Sequence, residues 1–216
     1  MPFGFPSHQG LIAPLWRRWP AAFDVPALCV GAGMPDAVDA TRIFWYGHFG
    51  QGLGHSLVGV VCFCVPAGLV LWALLQLAAQ RLRPLSCSGF WARAWNLGLA
   101  AFHNGVKPSG FLRAWWFVLW SLGAGAFSHL CFDLISHGGF PWLMPWVPKV
   151  RIFPEWWYAT WAHISLPGYA EPYDVGPYLT VWLFLSFLGI YLLLRPAFRP
   201  VVEGRVKEDL SADCAD

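Results

Sequence analysis

Charge is what this chain has least of. Only 12% of its 216 residues are charged and 57% are hydrophobic, where a soluble domain carries roughly 25% charged residues. A mean hydropathy of +0.48 belongs to an integral membrane protein. No basic run is present and the formal net charge is +2, which gives no support to a nucleic-acid partner. The six Cys form no CxxC, and Cys62, Cys64 and Cys131 lie in apolar stretches. Neither a disulfide framework nor a thiolate zinc site is expected. The first twenty residues lack a charged segment ahead of their apolar stretch and are interrupted by Pro6, Pro14 and Pro20. A cleavable signal peptide is therefore not expected. Aromatics, by contrast, are in excess: 15 Trp and 17 Phe suit interfacial belts and a lipid-facing surface.

Three segments are long and apolar enough to span a bilayer, at 56–79, 111–137 and 176–195. The first holds Pro66 at its centre, tolerable in a membrane helix. The second is expected to stop at Gly138 and Gly139. The third ends at Arg195 and Pro196. The N-terminal 55 residues are apolar but broken by Pro and by Asp24, so both a half-span and a full crossing remain open. Segment 89–102 reads as an amphipathic interfacial helix. Segment 138–161, rich in Pro and Trp, reads as an interfacial loop. The expected fold is all-α, an integral membrane helical bundle of three to five membrane helices with interfacial helices. Residues 1–195 are expected to form a single membrane domain, and the polar residues 196–216 a disordered tail.

Loop charge predicts orientation. Residues 80–113 carry Arg81, Arg83, Arg93, Lys107 and Arg113 with no acid, whereas 138–175 carry only Lys149 and Arg151 with three acids. The positive-inside rule puts the first loop in the cytoplasm. His55 and His137 then share the outer side.

One stripe needs compensation. His129, Asp133 and His137 step by four residues through "GAFSHLCFDLISHGG", so all three lie on one face of an apolar helix. A divalent cation at the negative end of the helix is the simplest answer. Imidazole with carboxylate suits zinc first, then manganese or iron. His129 and His137 are ~12 Å apart along a straight helix, so His137 either helps hold a second ion or supports the first from behind. The competing readings are a His–Asp network, or a structural ion, that locks the helices together, and a metal or proton transporter. A transporter needs polar groups along a whole path, and the cytoplasmic halves of these spans nearly lack them. Other candidates are Asp36 and Asp39 in "GAGMPDAVDATR", His55 and Ser56 in "GHSLVG", and His8 in "FPSHQG". Taken singly, a turn residue or a snorkelling interfacial group explains each.

Taken together, "MPFGFPSH", "GAGMPD", "GHSLVG" and "GAFSHLCFDLISHGGFPWLMP" resemble, over residues 1–195, a family of predicted membrane-bound metal-dependent hydrolases. One branch of it holds the LexA-regulated inner-membrane protein of enterobacteria. A sister branch of unknown function has the Ser-His, Asp, His ending seen here. The resemblance implies a metal site from His8, Asp36, His55, His129 and Asp133, with His137 close by. It extends more distantly to zinc-dependent phospholipases C. The chain departs in two places: His48 stands seven residues before His55 where one branch has a closer His, and Asp36 and Asp39 are spaced more widely than that branch's acidic pair. The expected activity is hydrolysis of an ester or phosphoester, lipid-linked or phospholipid, at the outer membrane interface. Asp36 or Asp39 would act as the catalytic carboxylate, and membrane lipid is the expected partner. Arg42 is a candidate for substrate phosphate but reads more simply as a headgroup-level charge. His103 and His163 stand outside the pattern.

Overall fold

The computed structural model describes residues 4–47, 51–87, 89–103, 109–137, 140–147, 150–167 and 172–198. The chain is an all-α membrane helical bundle. Helices α1 (Gly4–Leu11), α2 (Ala13–Arg18), α3 (Val25–Ala40) and α4 (Arg42–Tyr46) precede the first long apolar segment. That segment is α5 (Leu57–Gly59), a π-helical stretch (Val60–Cys64) and α6 (Val65–Ala79) in series. Then come α7 (Phe90–His103), α8 (Phe111–Ser136), the hairpin β1 (Ala162–Ile164) and β2 (Tyr173–Val175), and α9 (Pro177–Phe198). Three helices are long and apolar enough to cross a membrane: Leu57–Ala79, Phe111–Ser136 and Pro177–Phe198. The second is 44% buried and the others 22%, so α8 is the central post.

Among the described residues, no helix of the N-terminal segment is long enough by itself to span. Its helices α1 and α2 have 8 and 6 residues and α3 has 16, fewer than the ~20 a spanning helix needs. Asp24, whose charge counts against a span, is the N-cap of α3: its Oδ1 accepts from Ala27 N at 2.8 Å and from the Trp72 indole at 3.1 Å. Two bonds join α3 to α8 at one constant offset of 97 residues. Asp24 N donates to Ser121 Oγ at 2.8 Å, and His129 Nδ1 to the Ala32 carbonyl at 2.7 Å. The two helices therefore run side by side in the same direction. Glycine permits the close approach: a Cβ on Gly125 would meet Leu28 O at 2.2 Å, and one on Gly31 would meet Leu122 O at 2.2 Å. Helix α1 seats on α9 in the same way, with a Cβ on Gly10 meeting Gly189 O at 1.7 Å.

Prolines inside helices are answered locally. The π-helical stretch precedes Pro66, where the ring removes a donor and loosens the turn. Helix α9 continues to Phe198, past the expected stop at Pro196. The ring leaves the Leu192 carbonyl without its helical partner, and Arg17 Nη2 donates to that oxygen at 2.9 Å. The amphipathic α7 exposes Trp91 and Trp95. His103 bonds the Ala79 carbonyl at 3.0 Å and so caps α6, a structural task. The expected interfacial loop contains the Phe140–Val150 bridge and a short helix at Glu155–Tyr158, and the β1–β2 hairpin follows it. The hairpin is unforeseen; it holds His163 opposite Asp174, 2.8 Å apart and exposed, away from the cluster described below. His48, Gly138, Gly139 and residues 199–216 of the expected tail lie outside the described residues.

Candidate metal centre

The constant offset between α3 and α8 brings Asp36 to the level of His129 and Asp133. The 3₁₀ turn Leu53–His55, ahead of α5, adds His55. Ser56 is the N-cap of α5: its Oγ accepts from Gly59 N at 2.9 Å and donates to Leu53 O at 2.8 Å. Leu57 N donates to Trp142 O at 3.1 Å. These bonds hold the mouth of the segment, and with it His55, against the end of α8. Phe140, fully buried, packs edge-on against the His55 ring at 5.8 Å.

Four side chains converge. His55 Nε2 lies 3.3 Å from Asp36 Oδ1, 3.2 Å from Asp133 Oδ2 and 3.3 Å from His129 Nε2. His129 Nε2 lies 3.3 Å from Asp133 Oδ2 and 3.7 Å from Asp36 Oδ1. One ligand atom from each of the four fits within 4.8 Å of all the others. A tetrahedral ion with bonds of ~2.0–2.1 Å has ligand–ligand edges of about 3.3 Å, close to what these side chains present. They could hold a divalent cation.

The tautomers are set from behind. Asp39 accepts from His55 Nδ1 at 2.6 Å, so Nδ1 carries a proton and Nε2 is the ring atom left to meet a cation. The Ala32 carbonyl does the same for His129 through Nδ1. Two imidazole Nε2 atoms and two carboxylate oxygens thus face one another at a site where Asp133 and His129 are 0% exposed. Neither oxygen of Asp133 has a hydrogen-bond donor in good geometry, nor does Asp36 Oδ2. Burying such groups without compensation costs several kcal/mol or more.

Asp39 occupies a different place from Asp36. Its carboxylate accepts from Gly52 N at 2.5 Å, Gly54 N at 2.9 Å and His55 Nδ1. Both of its oxygens are therefore engaged. The Gly52–Gly54 loop wraps it closely, for a Cβ on Gly54 would sit 2.9 Å from Asp39 Oδ1. Asp36 is the open member, its side chain 24% exposed.

His8 joins from α1. Its ring stacks on His129 at 3.8 Å, and its Nε2 lies 3.4 Å from Asp133 Oδ1. Burial, with His129 beside it, drives its pKa down to about 3, so the ring is neutral. His137, just past α8, places Nδ1 3.1 Å from the Asp133 carbonyl and 3.2 Å from Ser136 Oγ, while its buried Nε2 has no partner. Arg42 lies beside the Gly52 loop, donating to Gln51 O at 2.9 Å with its guanidinium over Tyr46. The supporting groups that sequence reading passes over are the Ala32 carbonyl and the Gly52 and Gly54 amides. Only the "GLGH" spacing hints at the second pair.

A family model described as "Domain of unknown function (DUF4184)" matches residues 1–166, and the chain belongs to that family. No curated protein and no solved structure matches it.

Proposed function

We propose that this member of a family without an assigned activity is a membrane-embedded, metal-dependent hydrolase acting on an ester or phosphoester at the outer membrane interface. The observation that carries this reading is the convergence of His55 Nε2, His129 Nε2, Asp36 Oδ1 and Asp133 Oδ2 within 4.8 Å of one another, with four of their contacts at 3.2–3.3 Å. A divalent cation, zinc first by ligand chemistry, supplies Lewis-acid activation of water and of the substrate's acyl or phosphoryl oxygen.

The protein's own groups then divide the work. Asp39 and the Ala32 carbonyl hold the two imidazoles in the ligating tautomer. Asp39, whose oxygens are filled, is a positioning residue in this reading rather than the base the sequence suggests. Asp36, with Oδ2 free and its side chain partly exposed, accepts the proton of the attacking water. The basic 80–113 loop supports a cytoplasmic position for the opposite end of the bundle, and the family resemblance supports a bacterial inner membrane; the site then faces outward. Phe44, Trp45 and Tyr46, strongly exposed on α4 just after Asp39, suit headgroup depth and a lipid-linked substrate.

The test is turnover of phosphomonoesters, phosphodiesters and lipid esters by detergent-purified protein loaded with Zn²⁺ or Mn²⁺. Expected is metal-dependent release of product that His129→Ala and Asp133→Ala reduce at least 100-fold. Wild type that binds its ion stoichiometrically and turns over none of these would leave the ion as a lock between helices.

A further inference from the structure

Arg42 is the only Lys or Arg between Arg18 and Arg81, and its setting is not that of a plain headgroup-level charge. It is half-buried at the start of α4, three residues beyond Asp39. Nη1 donates to the Gln51 carbonyl at 2.9 Å, and the Tyr46 ring lies 5.2 Å from the guanidinium carbon. The missing side chain of Gly52 makes room for it: a Cβ there would meet Arg42 Nη1 at 2.3 Å and Asp39 Oδ1 at 3.2 Å. Arg42 and the carboxylate behind His55 thus press on the same point of the loop. Asp36 and Asp39 nevertheless direct their charge to His55 and His129 rather than to Arg42.

Two donors are left over. Arg42 Nε and Gln51 Nε2 are buried and have no partner among the described residues. Enclosing such donors, one of them on a cation, is costly until an acceptor arrives. The Nε–Nη2 edge is the side of a guanidinium that grips phosphate through two parallel bonds, and Nη1, on the other side, is already held by Gln51. Charge points the same way. Asp36 and Asp133 together neutralise one divalent ion, and Asp39 adds a negative charge behind it. An anionic substrate therefore needs a cation from the protein, whereas a neutral carboxylic ester does not.

We propose that Arg42 and Gln51 form a binding site for an anionic phosphoryl group, which makes the substrate class of the hydrolase a phosphoester rather than a carboxylic ester. Gly52 ties this site to the ion: its amide bonds Asp39, which in turn holds His55. The inference rests on the metal-dependent reading above, and can fail while that reading stands.

The experiment loads the full chain in detergent with Zn²⁺, measures bound ion by elemental analysis, and then titrates it by calorimetry. The probes are inorganic phosphate and dioctanoyl phosphatidate, with neutral dioctanoylglycerol as control. Wild type is expected to bind phosphatidate and not dioctanoylglycerol. Binding of inorganic phosphate as well shows that the phosphoryl group alone suffices, and phosphatidate alone marks a lipid-borne group; either supports the site. Hydrogen bonds to charged groups are the strong ones, so Arg42→Gln is expected to weaken anion binding by at least ~10-fold and Gln51→Leu by ~3-fold, with Zn²⁺ retained. If Arg42→Gln loses its ion, Gln51→Leu decides alone, because it keeps the carbonyl that Arg42 holds. Zinc-loaded wild type that binds neither anion, or variants that bind as tightly as wild type, overturns this inference only. Wild type that takes up no Zn²⁺ overturns the hydrolase reading and this inference with it.

Discussion

At the residue scale, Asp39 and Asp36 show how three positions along one helix separate two roles. Both are carboxylates on α3, but only Asp39 meets the Gly52 and Gly54 amides and the back of His55. Groups that orient a ligating imidazole typically contribute 10–100-fold to metal affinity. Asp39→Asn is therefore expected to weaken ion binding by ~10–100-fold without changing the ion count, as read by competition with a chromogenic chelator. An unchanged affinity would remove Asp39 from any positioning role. The spacing of His129, Asp133 and His137 was legible because four-residue steps stay on one helix face. Local spacing did not reveal the partners of those groups, which only the family resemblance indicated, since His55 lies 74 residues from the His129 it faces.

At the element scale, the site depends on two helix crossings that only glycine permits. Gly125 and Gly123 sit two residues apart on α8, but a Cβ at 125 would strike Leu28 O at 2.2 Å while one at 123 meets nothing within 4 Å. Gly125→Ala is expected to destabilise the protein by ~1–3 kcal/mol and to loosen the ion site, because α3 must move. Gly123→Ala should leave stability unchanged or raise it by up to ~1 kcal/mol. Thermal unfolding of both variants in detergent, with and without Zn²⁺, separates these outcomes, and equal effects would refute the crossing. Sequence pattern located the long helices, whose apolar runs declare themselves. It left the length of α3 open, because Pro26, Pro35 and Asp24 look like breaks. In the structure Pro26 lies in the first turn, Asp24 is the cap and Pro35 is carried within the helix.

At the scale of the whole molecule, three helices are long and apolar enough to cross a bilayer, and in the proposed arrangement opposite ends of the bundle face opposite sides. His55, His137 and α4 lie at one end, and the α6–α7 connection with the exposed Cys87 lies at the other. In a background with its other cysteines replaced, Cys87 is expected to react with a membrane-impermeant maleimide only from the cytoplasmic side. A Thr41→Cys variant, beside the site, is expected to react only from outside. Labelling of both from one side would contradict the three-span arrangement, and the reverse pattern would turn the site inward.

What the sequence by itself determined is the solvent and the chemistry. Scarcity of charge dictates a membrane protein, and the His–Asp stripe in an apolar helix demands a compensating partner, because both are properties of composition and local periodicity. What only the tertiary structure decided is how the groups that answer that demand are brought together, and that Asp39 stands behind His55 rather than among them. The constant offset of α3 on α8, the glycine seat of α1 on α9 and the Gly52–Gly54 loop bring His8, Asp36, Asp39 and His55 to one end of α8. Those placements come from backbone approaches between segments far apart in the chain, which no local pattern encodes.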